Sequence, residues 1–181
     1  MKRTLLIGPP GSSKFAWARS QQKNTVDEKL SSDIFYTYHL VGLEMCSRAP
    51  FRAPHHTISE QGLFGKLENG WKWRPGECSL AHGGILLLDN LPEFKKAILD
   101  ELLTVLTENQ IVLYSGSNHH MIVPCKFDFI ATMFPCPCGF LNANSHNPDG
   151  NRCKCTKEQI IRYRERVEEF IEICDIKEFP L

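Results

Sequence analysis

Two hydrophobic signatures organise the chain. Short apolar runs at residues 4–7, 85–88 and 127–133 read as strands of a buried parallel sheet, because both faces of such strands meet other layers. Helical spacing takes over between them. Phe94, Ile98, Leu102, Val105 and Leu106 predict an amphipathic helix over 92–108. Thr156 with Gln159 forms a capping-box pattern that opens a helix from residue 157 to about residue 171. A short helix is expected over 14–22, with Trp17 and Ala18 on its packed face.

The remaining segments are less regular. Residues 33–40 fit a strand and a helix equally and stay open. The proline-rich stretch 48–59 is held extended, since each proline biases its predecessor away from helix, and Ser59-Glu60 can start a short helix. The adjacent His55 and His56 would point to opposite faces of a strand, one packed and one exposed, which argues against a shared metal. Trp71 and Trp73, two apart, predict one face of a hairpin within 65–76. A second hairpin joins 111–114 to 121–123 through a polar tip. The three arginines Arg162, Arg164 and Arg166 give the last helix a basic face, balanced by Glu165, Glu168 and Glu169.

At 181 residues the chain fits one domain, taken as 1–181, with a sizeable core. Its 21 basic and 21 acidic residues cancel, which excludes a global positive field for capturing nucleic acid or anionic membrane. No leader pattern and no apolar run long enough to span a bilayer is found, so a cytoplasmic protein without membrane contact is expected.

The chemistry concentrates where apolar runs end. After 4–7 comes Gly8-Pro9-Pro10-Gly11-Ser12-Ser13-Lys14-Phe15, shaped like a phosphate-binding loop whose backbone N–H groups surround an anion and whose lysine supplies a point charge. The glycine expected before the lysine is Ser13, and the hydroxyl expected to hold magnesium is Phe15. After 85–88 comes Asp89, the place for a magnesium-organising carboxylate, followed by Asn90, whose amide can orient water but cannot act as a carboxylate base. A strand-to-helix turn and a simple strand cap are the plainer readings of these two sites.

Of the 8 cysteines, Cys46, Cys78, Cys125 and Cys174 read as packing thiols. Cys136, Cys138, Cys153 and Cys155 form two C-x-C pairs in a Cys-rich loop over 134–156, a set of soft ligands suited to zinc or, equally, free thiols.

Taken with Phe51-Arg52-Ala53-Pro54-His55-His56-Thr57-Ile58-Ser59, Arg74-Pro75-Gly76-Glu77, Ser79-Leu80-Ala81-His82, Leu91-Pro92-Glu93-Phe94-Lys95, Pro135-Cys136-Pro137-Cys138-Gly139 and Arg162-Tyr163-Arg164, the chain resembles the magnesium-chelatase-subunit-I-like, ComM-type branch of the AAA+ ATPases. The resemblance implies an α/β, three-layer P-loop NTPase core with a parallel sheet, hairpin insertions and a Cys-rich loop. It also implies ring assembly with like or related chains, ATP with Mg2+ as ligands, and remodelling of DNA contacted through the 111–124 hairpin. Against that pattern the second loop glycine is Ser13, the metal-binding threonine is Phe15, the water-activating glutamate is Asn90 and the sensor asparagine is Phe134. The family's helical lid is not matched, and no arginine stands in 171–175, where the family places one that reaches a neighbouring subunit. The expectation is a degenerate ATP-binding module, a pseudo-ATPase with weak affinity for ATP and Mg2+. The alternatives are a non-catalytic, zinc-stabilised interaction domain and a decaying gene remnant.

Overall fold

The computed structural model describes residues 1–44, 47–69, 71–115, 119–141 and 152–179. The elements are β1 (Arg3–Ile7), α1 (Lys14–Ser20), α2 (Ser31–Leu40), β2 (Phe51–Arg52), α3 (Glu60–Phe64), β3 (Gly65–Glu68), β4 (Lys72–Pro75), α4 (Glu77–Leu80), β5 (Ile85–Leu88), α5 (Lys96–Glu108), β6 (Gln110–Ser115), β7 (His119–Pro124), β8 (Asp128–Met133), α6 (Lys157–Glu165), α7 (Glu168–Ile173) and β9 (Asp175–Glu178).

Five strands pair in the order β2-β5-β8-β1-β9, and every pairing is parallel. Parallel neighbours need long crossovers, which is why the helices fall between strands and cover the sheet. Strand alternation then sorts the apolar runs into two cores. Leu6, Ile85, Leu87 and Ile130 join Ala18 of α1 on one face. On the other, Leu5, Leu86, Leu88, Phe129 and Ala131 pack with Ile98, Leu99, Leu102 and Val105 of α5 and with Val167 and Phe170. The three-layer α/β expectation is met.

Both hairpins stand outside this sheet: β3 pairs with β4 and β6 with β7, each antiparallel. The residues at the tip of the second, 116–118, lie outside the described set, as does Cys46. Cys78, Cys125 and Cys174 are buried, as packing thiols should be.

Several boundaries differ from the sequence reading. The open segment 33–40 belongs to α2. Leu91–Glu93, with Pro92, forms a separate 3-10 turn, and Phe94 and Lys95 are extended, so α5 begins only at Lys96. The last helix is split at Val167 (φ −131°, ψ 19°), and Arg166 there donates to the carbonyls of Pro92 (2.7 Å) and Phe94 (3.0 Å). The basic face is therefore used in part to tie the C-terminal helices to the turn after β5. His55 and His56 do not sit on a strand, and their rings touch, with centroids 4.1 Å apart. His55 is exposed and His56 half-buried, as expected.

β9 was not foreseen. Its four residues, Asp175-Ile176-Lys177-Glu178, are all exposed, so the strand lacks the apolar run that identifies a central one.

Candidate functional site: the strand ends at Gly8–Phe15 and Asp89

Strand order brings the two predicted centres together. β8 lies between β1 and β5, with Met133 opposite Ile7 and Ala131 opposite Leu88, so the phosphate-type loop and Asp89 emerge on either side of the same strand end. Gly8 N–H donates to the Met133 carbonyl at 3.3 Å, and Thr132 Oγ1 donates to Asp89 Oδ1 at 2.6 Å. This is the crevice beyond the carboxyl ends of parallel strands where α/β sheets place ligands.

The loop wraps around its own lysine. Lys14 Nζ donates to the carbonyls of Gly8 and Pro9, both at 2.7 Å, and to Ser12 Oγ at 3.0 Å, and lies 5.0 Å from the centroid of the Phe134 ring. Burial lowers the lysine pKa from its ordinary value, while the Asp89 carboxylate pulls it back up. An incoming phosphate would compete with three oxygen acceptors and an aromatic face for the ammonium.

Backbone geometry explains the loop's composition. Gly11 adopts φ +79° with open space where a side chain would project, leaving the cradle accessible. Ser13 adopts φ 56° at the start of α1, a left-handed conformation that glycine takes freely and serine does not. Gly8 is required for a different reason: a Cβ there would stand 2.8 Å from Phe179 Cβ, because Phe179 N–H donates to the Ile7 carbonyl (2.8 Å) as the chain leaves β9.

One candidate magnesium ligand stands at the strand end. Asp89 is exposed at the strand end and oriented by Thr132, so its free oxygen suits a hard cation. The hydroxyl partner is missing: Phe15 instead meets the Phe51 ring edge-on, with centroids 6.1 Å apart. Asn90 adopts φ 60°, its N–H donates to Thr132 Oγ1 (2.9 Å), and its side-chain oxygen accepts from Tyr163 OH (3.4 Å). The residues fit a triphosphate better than they fit its metal.

The cysteine pairs converge. The Sγ atoms of Cys136, Cys138, Cys153 and Cys155 all lie within 4.8 Å of one another. The Cys136–Cys138 separation is 3.4 Å, and Cys153 lies 3.7 Å from each of them. Tetrahedral zinc with Zn–S bonds of about 2.3 Å places its sulfurs about 3.8 Å apart, so this is a zinc-sized donor set. Burial, with the neighbouring thiols, pushes Cys136 up to about 12. Cys138 falls to about 6: its partial burial is outweighed by backbone N–H groups of Phe140 and Lys154 and by the Cys136 thiol.

Sequence reasoning gave no site role to Thr132, Tyr163 or Phe179. Thr132 sits near the end of the apolar run 127–133, which was the available signal; β9, which carries Phe179 in, offered none. A separate cavity of about 810 Å3, between α2, β4 and β7, includes none of the loop residues or Asp89.

The sheet order, the loop after β1 and the carboxylate after β5 define a P-loop NTPase fold of the AAA+ kind. Consistent with this, the fold matches NtrX from Brucella abortus with a TM-score of 0.58 at 19% identity, covering 99% of this chain and 33% of that one. A structure of NtrX in complex with ADP matches with a TM-score of 0.54. The family model described as magnesium chelatase, subunit ChlI, matches residues 2–177, and the chain belongs to that family. It is 36% identical to the uncharacterised protein YifB of Salmonella typhimurium, over 98% of this chain and 34% of that protein. It is also 34% identical to competence protein ComM of Haemophilus influenzae, over 90% of this chain and 31% of that protein. The chain thus spans about a third of the length of these relatives. Among the described residues no helix is long and apolar enough to cross a membrane.

Proposed function

We propose that this domain binds ATP in the crevice between Gly8–Lys14 and Asp89 and hydrolyses it poorly or not at all. The observation that carries the reading is the convergence of Lys14 and Asp89 at the end of β8, on the sheet of a P-loop fold. In this reading the loop backbone and the Lys14 ammonium hold phosphate oxygens, and Asp89 holds Mg2+, which would neutralise phosphate charge when bound. Phosphoryl transfer depends on metal, positioned water and cationic groups acting together, and Phe15 and Asn90 remove the usual means of supplying the first two.

Two further roles belong to the proposal. The four cysteines hold a structural zinc ion, supported by their mutual spacing. The β6–β7 hairpin offers DNA a contact, supported by Tyr114, which is 74% exposed and so available for base stacking, in a domain that would work within a homo- or hetero-oligomer. A non-catalytic interaction domain is the alternative.

Thermal unfolding with and without ATP and Mg2+ tests the first claim. A ligand selective for the folded state at about a hundredfold excess over its Kd adds about 2.7 kcal/mol, readable as a rise in Tm. An unchanged Tm at millimolar nucleotide rejects it. Metal analysis of protein purified without a histidine tag tests the zinc claim, with one ion per chain expected and a value near zero rejecting it.

A further inference from the structure

We propose that the metal held by the four cysteines clamps the phosphate loop, so that metal and nucleotide bind with positive linkage; this rests on the zinc reading above. One short segment serves both sites. Phe134 covers the Lys14 ammonium, and two residues later Cys136 supplies a sulfur. The Cys136 carbonyl then accepts from Gly139 N–H at 2.9 Å, closing a turn that carries Cys138.

That turn bears directly on the loop. Gly139 (φ +86°) approaches so near that a Cβ there would stand 2.7 Å from Pro10 Cδ and 3.0 Å from Pro10 Cγ. The turn containing two sulfurs is therefore the wall against which the proline of the phosphate cradle rests. The second cysteine pair leads into the helix that reaches the opposite side of the crevice. Cys153 and Cys155 precede Thr156, which caps α6. From α6, Tyr163 OH accepts from Phe134 N–H (3.3 Å) and donates to Asn90 Oδ1 (3.4 Å), while Arg164 donates to the Pro135 carbonyl (3.4 Å).

A metal joining the two pairs would thus fix Pro10 on one side of the crevice and Asn90 on the other in one arrangement. Without it, among the described residues the two C-x-C pairs meet only through thiol contacts and the few hydrogen bonds from α6, a weaker hold on the wall behind Pro10. Linkage is reciprocal, so a metal that favours the nucleotide-competent loop must itself bind more tightly when nucleotide is present. Couplings of this kind typically amount to about 5- to 150-fold in affinity.

The test uses the full chain and zinc itself. Zinc content and zinc affinity are measured by competition with a chromophoric chelator, and ATP affinity is measured by calorimetry on the zinc-loaded and chelated protein. The same measurements are made on Pro10→Ala, which removes the contact without touching a cysteine. The expected result is one zinc per chain in both proteins, ATP affinity in the wild type at least about fivefold higher with zinc, and little or no dependence on zinc in P10A. Zinc binding with identical ATP affinity in both states overturns the linkage and leaves the zinc reading standing. Failure to bind zinc overturns both. Absence of ATP binding in either state also overturns the linkage. If chelation unfolds the chain, the coupling runs through global folding and persists in P10A, and that result overturns it as well.

Discussion

Thr132 Oγ1 donates to Asp89 Oδ1 at 2.6 Å and accepts from Asn90 N–H at 2.9 Å, so a single buried hydroxyl on β8 fixes both residues that follow β5. Thr132→Val keeps the shape and removes both bonds. The expected cost is about 1–3 kcal/mol, the usual consequence of leaving partly buried polar groups unpaired, measured by urea denaturation. A change within experimental error would mean that water replaces the hydroxyl and that the Asp89 turn is not held from β8.

Ser13 carries backbone strain. Placing a non-glycine residue at φ 56° costs about 1–2 kcal/mol, of which Ser13→Gly gives back part as extra freedom of the unfolded chain, about 0.4–1 kcal/mol. Ser13→Gly should therefore raise stability by about 0.5–1 kcal/mol on balance. A drop in the urea midpoint contradicts the assignment of strain to this position.

Asn90 is suited to its place for a conformational reason, because asparagine tolerates the left-handed region better than most residues and this one sits at φ 60°. Asn90→Glu installs a carboxylate where the family uses one, but it loses the Tyr163 bond and adds strain. The variant should be less stable by about 1–2 kcal/mol and, with Phe15 retained, should show no gain in ATP hydrolysis. Measurable turnover in N90E alone would show that the crevice needs only a base to work.

His82 gives the fold a dependence on acid. Its Nδ1 accepts from Lys126 N–H at 3.1 Å, and burial lowers its pKa below the usual 6.5, with Asp33 and the Pro124 carbonyl opposing. The unfolded chain takes up this proton first, so stability falls as pH drops through about 6.5 and levels off below the depressed folded value. His82→Asn, which keeps an acceptor for Lys126, should flatten the stability curve between about pH 5 and 7 relative to the wild type. Parallel curves for the two proteins would exclude His82 as the source.

The sequence disclosed the parts of this domain that are written as long apolar patterns. The runs that became β1, β5 and β8 are buried on both faces, and α5 carries its stripe over 13 residues, so the order of apolar residues identifies them. The cysteine pairs were visible by spacing, but only the approach of two distant segments shows that all their sulfurs fit one ion. What stayed hidden has no local signature. β9 is exposed on every residue because it edges the sheet, yet it delivers Phe179 onto Gly8. The internal bonding of Lys14 is likewise a product of loop conformation, since nothing in the order Gly-Pro-Pro-Gly-Ser-Ser-Lys says that the ammonium turns back onto Gly8 and Pro9.

Calorimetric titration of ATP with Mg2+ into the wild type and Lys14→Ala bears most directly on whether this crevice still accepts a nucleotide. Saturable binding of one ATP per chain, lost when the ammonium is removed and unaccompanied by release of phosphate, is the predicted outcome. No binding heat at millimolar ATP, or binding unaltered in K14A, would contradict it.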